Sequence, residues 1–434
     1  MGYIFGGAIL FLILLILCFY WYNKDGILFF ADFNRVGVII WSIGLSFYDL
    51  SLSSLYKPNV IINAVAVLVI LNFLFLSFRY KNNIKQVYYI FDNIQINNAC
   101  FLVLFLIFLL GLFSFIFNLK FGYLRFFSSN KGGSHYIKYS YFLNMLIPVS
   151  MIFYFIARTE KKIKNKIIFF AFSFFSLFMI FCNLSRGPIL YWIIGVTIYE
   201  IAHFFKNSKT KKITKKQVLI LLILLVITIW GFGFIGEIRT SGYGWISTND
   251  HYKMIMNFPK GFTWVYIYLS SPLENLREIL TNQIPNYLQL GNNLFYPFVK
   301  GIANIFGRGQ EYIKFLDNTS SVYPYLASTY GLNVSSFVAD AIQDFGYFGI
   351  FIYLFFYDII SVLYSKMLST ERISDIAKAV IIPIIIQITL WSIFDDSVFR
   401  IIIIWIDIFV ILIWDYFSKL DLIKFCKGLN NEKK

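Results

Sequence analysis

Charge is what this sequence has least of. Only 14% of its 434 residues are Asp, Glu, Lys or Arg, against roughly 25% in soluble domains. A water-soluble fold of this size could not cover its surface with so few charges, whereas a bilayer is as apolar as the side chains that face it. Histidine is scarcer still, at His135, His203 and His251. Of the four cysteines, Cys18, Cys100 and Cys182 fall in apolar runs and Cys426 in a basic tail. None is placed for an extracytoplasmic disulfide and no CxxC occurs, and two outer histidines without cysteines argue against a structural zinc site. No GxxxxGK[ST] and no GxGxxG after a strand occur, so the usual nucleotide cradles are missing too.

What is abundant is hydrocarbon: 59% of residues are hydrophobic and mean hydropathy is +0.69. A helix needs roughly 20 apolar residues to cross the bilayer core. About eleven such runs are expected, over 2–22, 34–50, 59–78, 99–118, 138–157, 166–184, 188–205, 217–236, 342–365, 378–396 and 398–417. The second is broken by Asp32, Asn34 and Arg35. The first lacks a basic leader and a cleavage site and reads as a retained helix. The fold class expected is an all-α polytopic integral membrane protein.

The net charge of +15 is gathered in short clusters at 79–85, 158–166, 206–216, 366–378 and 424–434. Alternation of spans puts all of them on one side if the N-terminus lies outside, which is the pattern of cytoplasmic loops. No contiguous basic face remains for nucleic acid. The expected organisation is an N-terminal bundle of about eight helices (1–236), a large outer loop (237–341), about three C-terminal spans (342–417) and a basic cytoplasmic tail (418–434). Charges in the loop nearly balance, and it is rich in Trp and Tyr. A segment this long without structure would be unusual, so short helices over the bundle mouth are expected.

Several residues could carry chemistry at that outer edge. Arg186, in Ser185-Arg186-Gly187-Pro188, opens the seventh span, where a guanidinium could clasp a lipid-borne phosphate or simply fix helix depth. Glu237 and Arg239 leave the eighth span; an unwound exit would aim both into a cavity, and a salt bridge to the loop is the structural alternative. Asp340 and Asp344 are four apart, hence on one helical face, and Gly346 and Gly349 allow close approach of another helix. Dipole-favoured carboxylates at a helix end are the alternative there. Asp358 and Asp407 lie deeper, where structural pairing is favoured, and Asp395-Asp396 sit in the last outer turn.

These pieces together resemble the bacterial O-antigen polymerase (oligosaccharide repeat unit polymerase) family. The resemblance spans the whole architecture: Phe/Ile-rich spans, one large outer loop late in the chain and a basic C-terminus. Locally it rests on SRG at 185–187, the Arg239 exit and DFGxxG at 344–349. It implies a GT-C-like glycosyltransferase architecture in the bacterial inner membrane, with the N-terminus outside and the C-terminus cytoplasmic. The implied reaction moves a growing glycan from an undecaprenyl-pyrophosphate carrier onto an incoming lipid-linked repeat unit. Arg186, Arg239 and Arg308 would then hold the diphosphate, and Asp344, Asp340, Glu237 or His251 would take the acceptor proton. Trp245, Trp264 and Tyr330 would stack on sugar rings. No metal and no cofactor is expected, since arginines can neutralise the diphosphate. Expected partners are the lipid-linked glycan, the bilayer, a chain-length regulator and a flippase, with no nucleic acid. Two alternatives stand beside it. An O-antigen ligase or other lipid-linked glycosyltransferase would share the donor. A flippase or transporter would use Asp358, Asp407 and Arg400, but matched broken helices in two halves are missing.

Overall fold

A long apolar run in a bilayer has one way to satisfy its own backbone, the α-helix. The protein obeys this throughout the described residues of its structure, a computed structural model covering 2–81, 83–92, 100–127, 140–182, 186–206, 248–282, 288, 290–308, 311, 325–332, 334–395 and 402–419, with scattered positions between 219 and 237. Among them the one extended pairing is an antiparallel bridge from Ser53 to Met254.

The helices of the first half are α1 (Gly2–Asp25), α2 (Phe33–Leu50), α3 (Val60–Arg79), α4 (Asn83–Asp92), α5 (Cys100–Lys120), α6 (Ser140–Asn144), α7 (Leu146–Thr159), α8 (Ile163–Phe181) and α9 (Arg186–Lys206). The second half holds α10 (Thr248–His251), α11 (Lys260–Asn282), α12 (Tyr296–Ile305), α13 (Tyr325–Tyr330), α14 (Phe337–Phe345), α15 (Gly349–Ser369), α16 (Asp375–Trp391) and α17 (Ile402–Lys419). Described positions from 219 to 237 are helical as well. Among the described residues six stretches are long and apolar enough to cross a membrane: α1, α3, α5, α6 with α7, α8, and α14 with α15. The chain is an all-α, multi-pass membrane protein. Helices α2, α9, α16 and α17 pack among the six.

The charges that interrupt the second apolar run turn out to start its helix. Asp32 caps α2, its Oδ1 accepting from the backbone N–H groups of Asn34 (3.1 Å) and Arg35 (3.0 Å), the role short acidic side chains fill at helix starts. Arg35 reaches back 2.6 Å to Asp25 at the end of α1 and lies 5.3 Å from the Trp21 ring centre. Asn83, opening α4, donates to Asp32 Oδ2 at 3.3 Å. This buried network closes one end of the bundle, where lysines and arginines gather at and around the turns after α1, α3, α7 and α15. We call it the basic end.

The opposite, loop end draws on described residues of the 237–341 segment, where the short helices α10, α12 and α13 accompany one long helix. Its main element, α11, has 23 residues and is buried along much of its length. Glu274 pins it across the end of α2, accepting from the Tyr48 hydroxyl (2.8 Å) and the Lys57 N–H (2.9 Å) while pairing with Arg277 at 2.7 Å. Tyr266 adds a bond from the Leu52 N–H at 2.7 Å. Buried polar groups joined in this way hold a helix where apolar contact alone would let it slide.

Gly346 and Gly349 also do something other than admit a neighbouring span. Gly346 sits at φ +66°, and a Cβ on Gly349 would lie 1.9 Å from the Ala341 carbonyl oxygen. The two glycines fold α14 back against the start of α15. The Phe337 ring meets Trp41 of α2 at 5.5 Å and Tyr357 of α15 at 4.8 Å, so α14 begins inside the bundle.

Candidate functional site

Glycines build the site as well. A Cβ on Gly233 would lie 2.6 Å from the Gly261 Cα, and one on Gly236 would lie 2.7 Å from the Trp264 ring. The helical positions up to Glu237 therefore cross the first turns of α11 at a distance only glycine permits. That crossing sets Glu237 at the edge of the Trp264 indole, whose Nε1 donates to its Oε1 at 3.1 Å. Lys260 Nζ donates to Oε2 at 2.9 Å, and the Thr248 hydroxyl donates to Oε1. Burial works against the charged form of Glu237, but these three donors outweigh it and hold the carboxyl below its ordinary range.

The next layer comes from α10. Asn249 ties it to α11, accepting from the Thr263 hydroxyl at 2.8 Å, and Ser53 donates to the Tyr252 carbonyl at 2.6 Å. Lys253, in the left-handed region at φ +47°, turns the chain out of the helix. The His251 ring then meets Tyr252 at 4.8 Å and Tyr330 of α13 at 5.3 Å. Burial pushes the imidazole below its ordinary value, opposed by a hydrogen bond with the Tyr330 backbone. Tyr252 meets Trp264 at 5.5 Å, and Lys253 Nζ sits 5.9 Å from the Tyr330 ring centre. The result is one continuous cluster, Glu237–Trp264–Tyr252–His251–Tyr330, carrying Lys260 and Lys253.

Four residues singled out in the sequence thus meet: Glu237, His251, Trp264 and Tyr330. The other named residues are placed differently. Asp344 is buried and fully engaged: Oδ1 accepts from the Asn293 N–H (3.0 Å), while Oδ2 accepts from the Leu294 N–H (3.0 Å) and the Tyr353 hydroxyl (2.7 Å). It clamps the 290–294 turn onto α14 and α15. Asp340, one turn earlier, is 5% exposed. Arg308 is open to its surroundings, with Glu311 at 3.8 Å. Arg239 and Trp245 lie outside the described residues, as does the side chain of Arg186, whose backbone opens α9. Among the described residues no three His, Cys, Asp or Glu side chains converge as a metal site.

No family model, curated protein or solved structure matches this chain. What the site can do is therefore argued from its own chemistry. It brings together a carboxylate, an imidazole, two ammonium groups and three buried aromatic rings at one end of a membrane bundle. Sequence reasoning passed over Lys253, Lys260, Thr248 and Tyr252, which belong to the same cluster. The signal for them was present in the glycines at 233, 236 and 261, whose spacing marks a close helix crossing.

Proposed function

We propose that this protein is a membrane glycosyltransferase that polymerises lipid-diphosphate-linked oligosaccharide repeat units at its loop end. The observation that carries this reading is the convergence of His251 with Glu237, Trp264, Tyr252 and Tyr330 beside two lysines. In this reading the bundle has about eleven spans and a GT-C-like arrangement. It sits in a bacterial inner membrane with the loop end outside and both the basic end and the C-terminus in the cytoplasm.

The reaction joins an acceptor sugar hydroxyl to the anomeric carbon of the growing chain. The bond from that carbon to the diphosphate oxygen breaks, and the lipid diphosphate leaves with the electron pair. His251, neutral near pH 7, takes the hydroxyl proton. Glu237 is too weak a base for that step while three donors hold it ionised; it instead orients Lys260 and Trp264 and lends negative potential near the oxocarbenium-like centre. Lys253 and Lys260, with Arg186 and Arg239, neutralise charge as it develops on the leaving diphosphate. Tyr252, Trp264 and Tyr330, buried against one another, form the rigid wall behind these groups. Asp344 keeps the surrounding loop in place.

A purified-component assay tests this directly. Protein in nanodiscs supplied with a lipid-diphosphate-linked repeat unit should yield a ladder of longer lipid-linked glycans, and His251→Ala should suppress it. Absence of any elongation sinks the proposal. Transfer only to a lipid A-type acceptor would replace polymerase with ligase. Labelling of a Lys260→Cys variant from the cytoplasmic face alone would remove the geometry on which the reaction depends.

A further inference from the structure

We propose that α3 and α15 form the face through which two copies of this chain associate side by side in the membrane, whatever reaction the protein performs. The face is a groove of about 360 Å³ between the two helices, walled by Leu71 and Phe75 on one side and Phe351 and Phe355 on the other. Across its floor the Asn72 amide donates to Asp358 Oδ1 at 2.9 Å. Both residues are only half-buried, and among the described residues Asp358 Oδ2 accepts no hydrogen bond. Arg79, two turns along α3, attracts the carboxylate from a distance without forming an ion pair.

Depth decides what can sit there. Asp358 is nine residues from the start of α15, about 13 Å along its axis at 1.5 Å per residue, close to the middle of a core roughly 30 Å thick. Lipids keep their polar groups at the surfaces, so no headgroup reaches this level. A carboxylate facing acyl chains is costly, and the group that can answer it at mid-depth is a side chain on another transmembrane helix. The exposed mid-span side chains of α1, α5 and α8 are apolar throughout, which sets this face apart from the ordinary lipid-facing surface.

A second copy fits for two reasons. The floor holds one donor and one acceptor at the same depth, and Asn72 keeps a second N–H. A two-fold axis along the membrane normal would bring each Asn72 to the other copy's Asp358 without changing depth, the self-complementarity an isologous contact requires. Beside the groove runs a ridge on α15 of exposed Phe351, Phe355, Ile359 and Leu363, spaced four residues apart. A groove with a ridge alongside lets each copy fill the other, as ridges-into-grooves packing demands.

The test is the oligomeric state and the place of contact. Wild-type protein in nanodiscs should read as a dimer by mass photometry. A Phe355→Cys variant should form an oxidative crosslink in membranes above the wild-type baseline, whereas Phe105→Cys on the lipid-facing side of α5 should not. Asp358→Leu should weaken association roughly tenfold, the order expected for losing two intramembrane hydrogen bonds. Phe351→Ala with Phe355→Ala should also weaken it while leaving the Asn72–Asp358 bond in place, a control should Asp358→Leu fold poorly. A monomeric wild type, equal crosslinking at 105 and 355, a dimer indifferent to these substitutions, or crosslinking at 355 only to a protein of another mass would each overturn the proposal.

Discussion

Both ends of the bundle bring acidic and basic side chains against tryptophan, and the two arrangements differ in exposure. At the basic end the Arg35 side chain is 3% exposed and its partner Asp25 8%, with Trp21 below and Asp32 and Asn83 alongside. At the loop end Lys260 is 67% exposed and Glu237 32%, around Trp264. The same residue types therefore serve different ends. A sealed ion pair that loses one partner strands a charge in a low-dielectric interior, whereas an open pair is screened and easily spared. Burial closes the sealed network to a ligand, and its place where α1, α2 and α4 meet is that of a lock. The open cluster keeps its Lys260 ammonium within reach of one, backed by the buried rings of Trp264, Tyr252 and Tyr330.

The sharpest way to break this comparison is His251→Ala. It should lower polymerisation by roughly 100- to 10,000-fold, the span for loss of a positioned proton acceptor, with thermal unfolding in detergent almost unchanged. Equal loss of stability and activity would make His251 a packing residue. Arg35→Leu should do the reverse, destabilising by about 3–5 kcal/mol through the stranded Asp25 carboxylate, read as a lowered melting temperature. Residual folded protein should still elongate glycans. If Arg35→Leu leaves the melting temperature alone, the two ends do not divide labour as argued.

Gly236→Val comes next. Its side chain would strike the Trp264 ring and displace the indole that Glu237 holds, for an activity loss on the order of 100-fold, measured as initial elongation rate. The acid limb of the activity profile sharpens the assignment further. His251 titrates below its ordinary value of about 6.5, so activity should hold through pH 6.5 and fall only below it; His251→Gln should abolish that limb. The sign for stability is the same: a histidine depressed in the fold contributes fully above about 6.5, and that contribution fades as pH drops toward the lowered value. The smallest effect belongs to Lys260→Met, which should change stability by roughly 0.2–1 kcal/mol at most while raising KM for the lipid-linked substrate.

Much of the fold was legible before any coordinates. The helix α2 (Phe33–Leu50) closely matches the expected 34–50 run, and α1, α3, α5 and α8 follow their hydrophobic runs, because a run of that length and composition has no alternative backbone solution in lipid. Less legible was α11. Its sequence mixes Lys260, Pro272, Glu274, Asn275 and Arg277 with aromatics, so it reads as an outer loop. Only the partners Tyr48, Lys57 and Leu52, more than 200 residues away in the chain, make those polar groups satisfiable inside a packed structure. The site was half legible for the same reason. Glu237, His251, Trp264 and Tyr330 were notable as residue types, but Asp344 was notable too, and nothing in its local spacing shows that two backbone N–H groups and the Tyr353 hydroxyl occupy it.

By itself the sequence determined that the chain is a helical membrane protein and which runs could enter the bilayer, since both follow from local composition and the need to pair every backbone group away from water. The tertiary structure alone decided which charged residues are sealed and which stay open, which glycines bring helices together, and that a mid-membrane carboxylate faces a groove. Those outcomes depend on partners brought from distant parts of the chain, and no local pattern encodes what a side chain will find across a helix crossing.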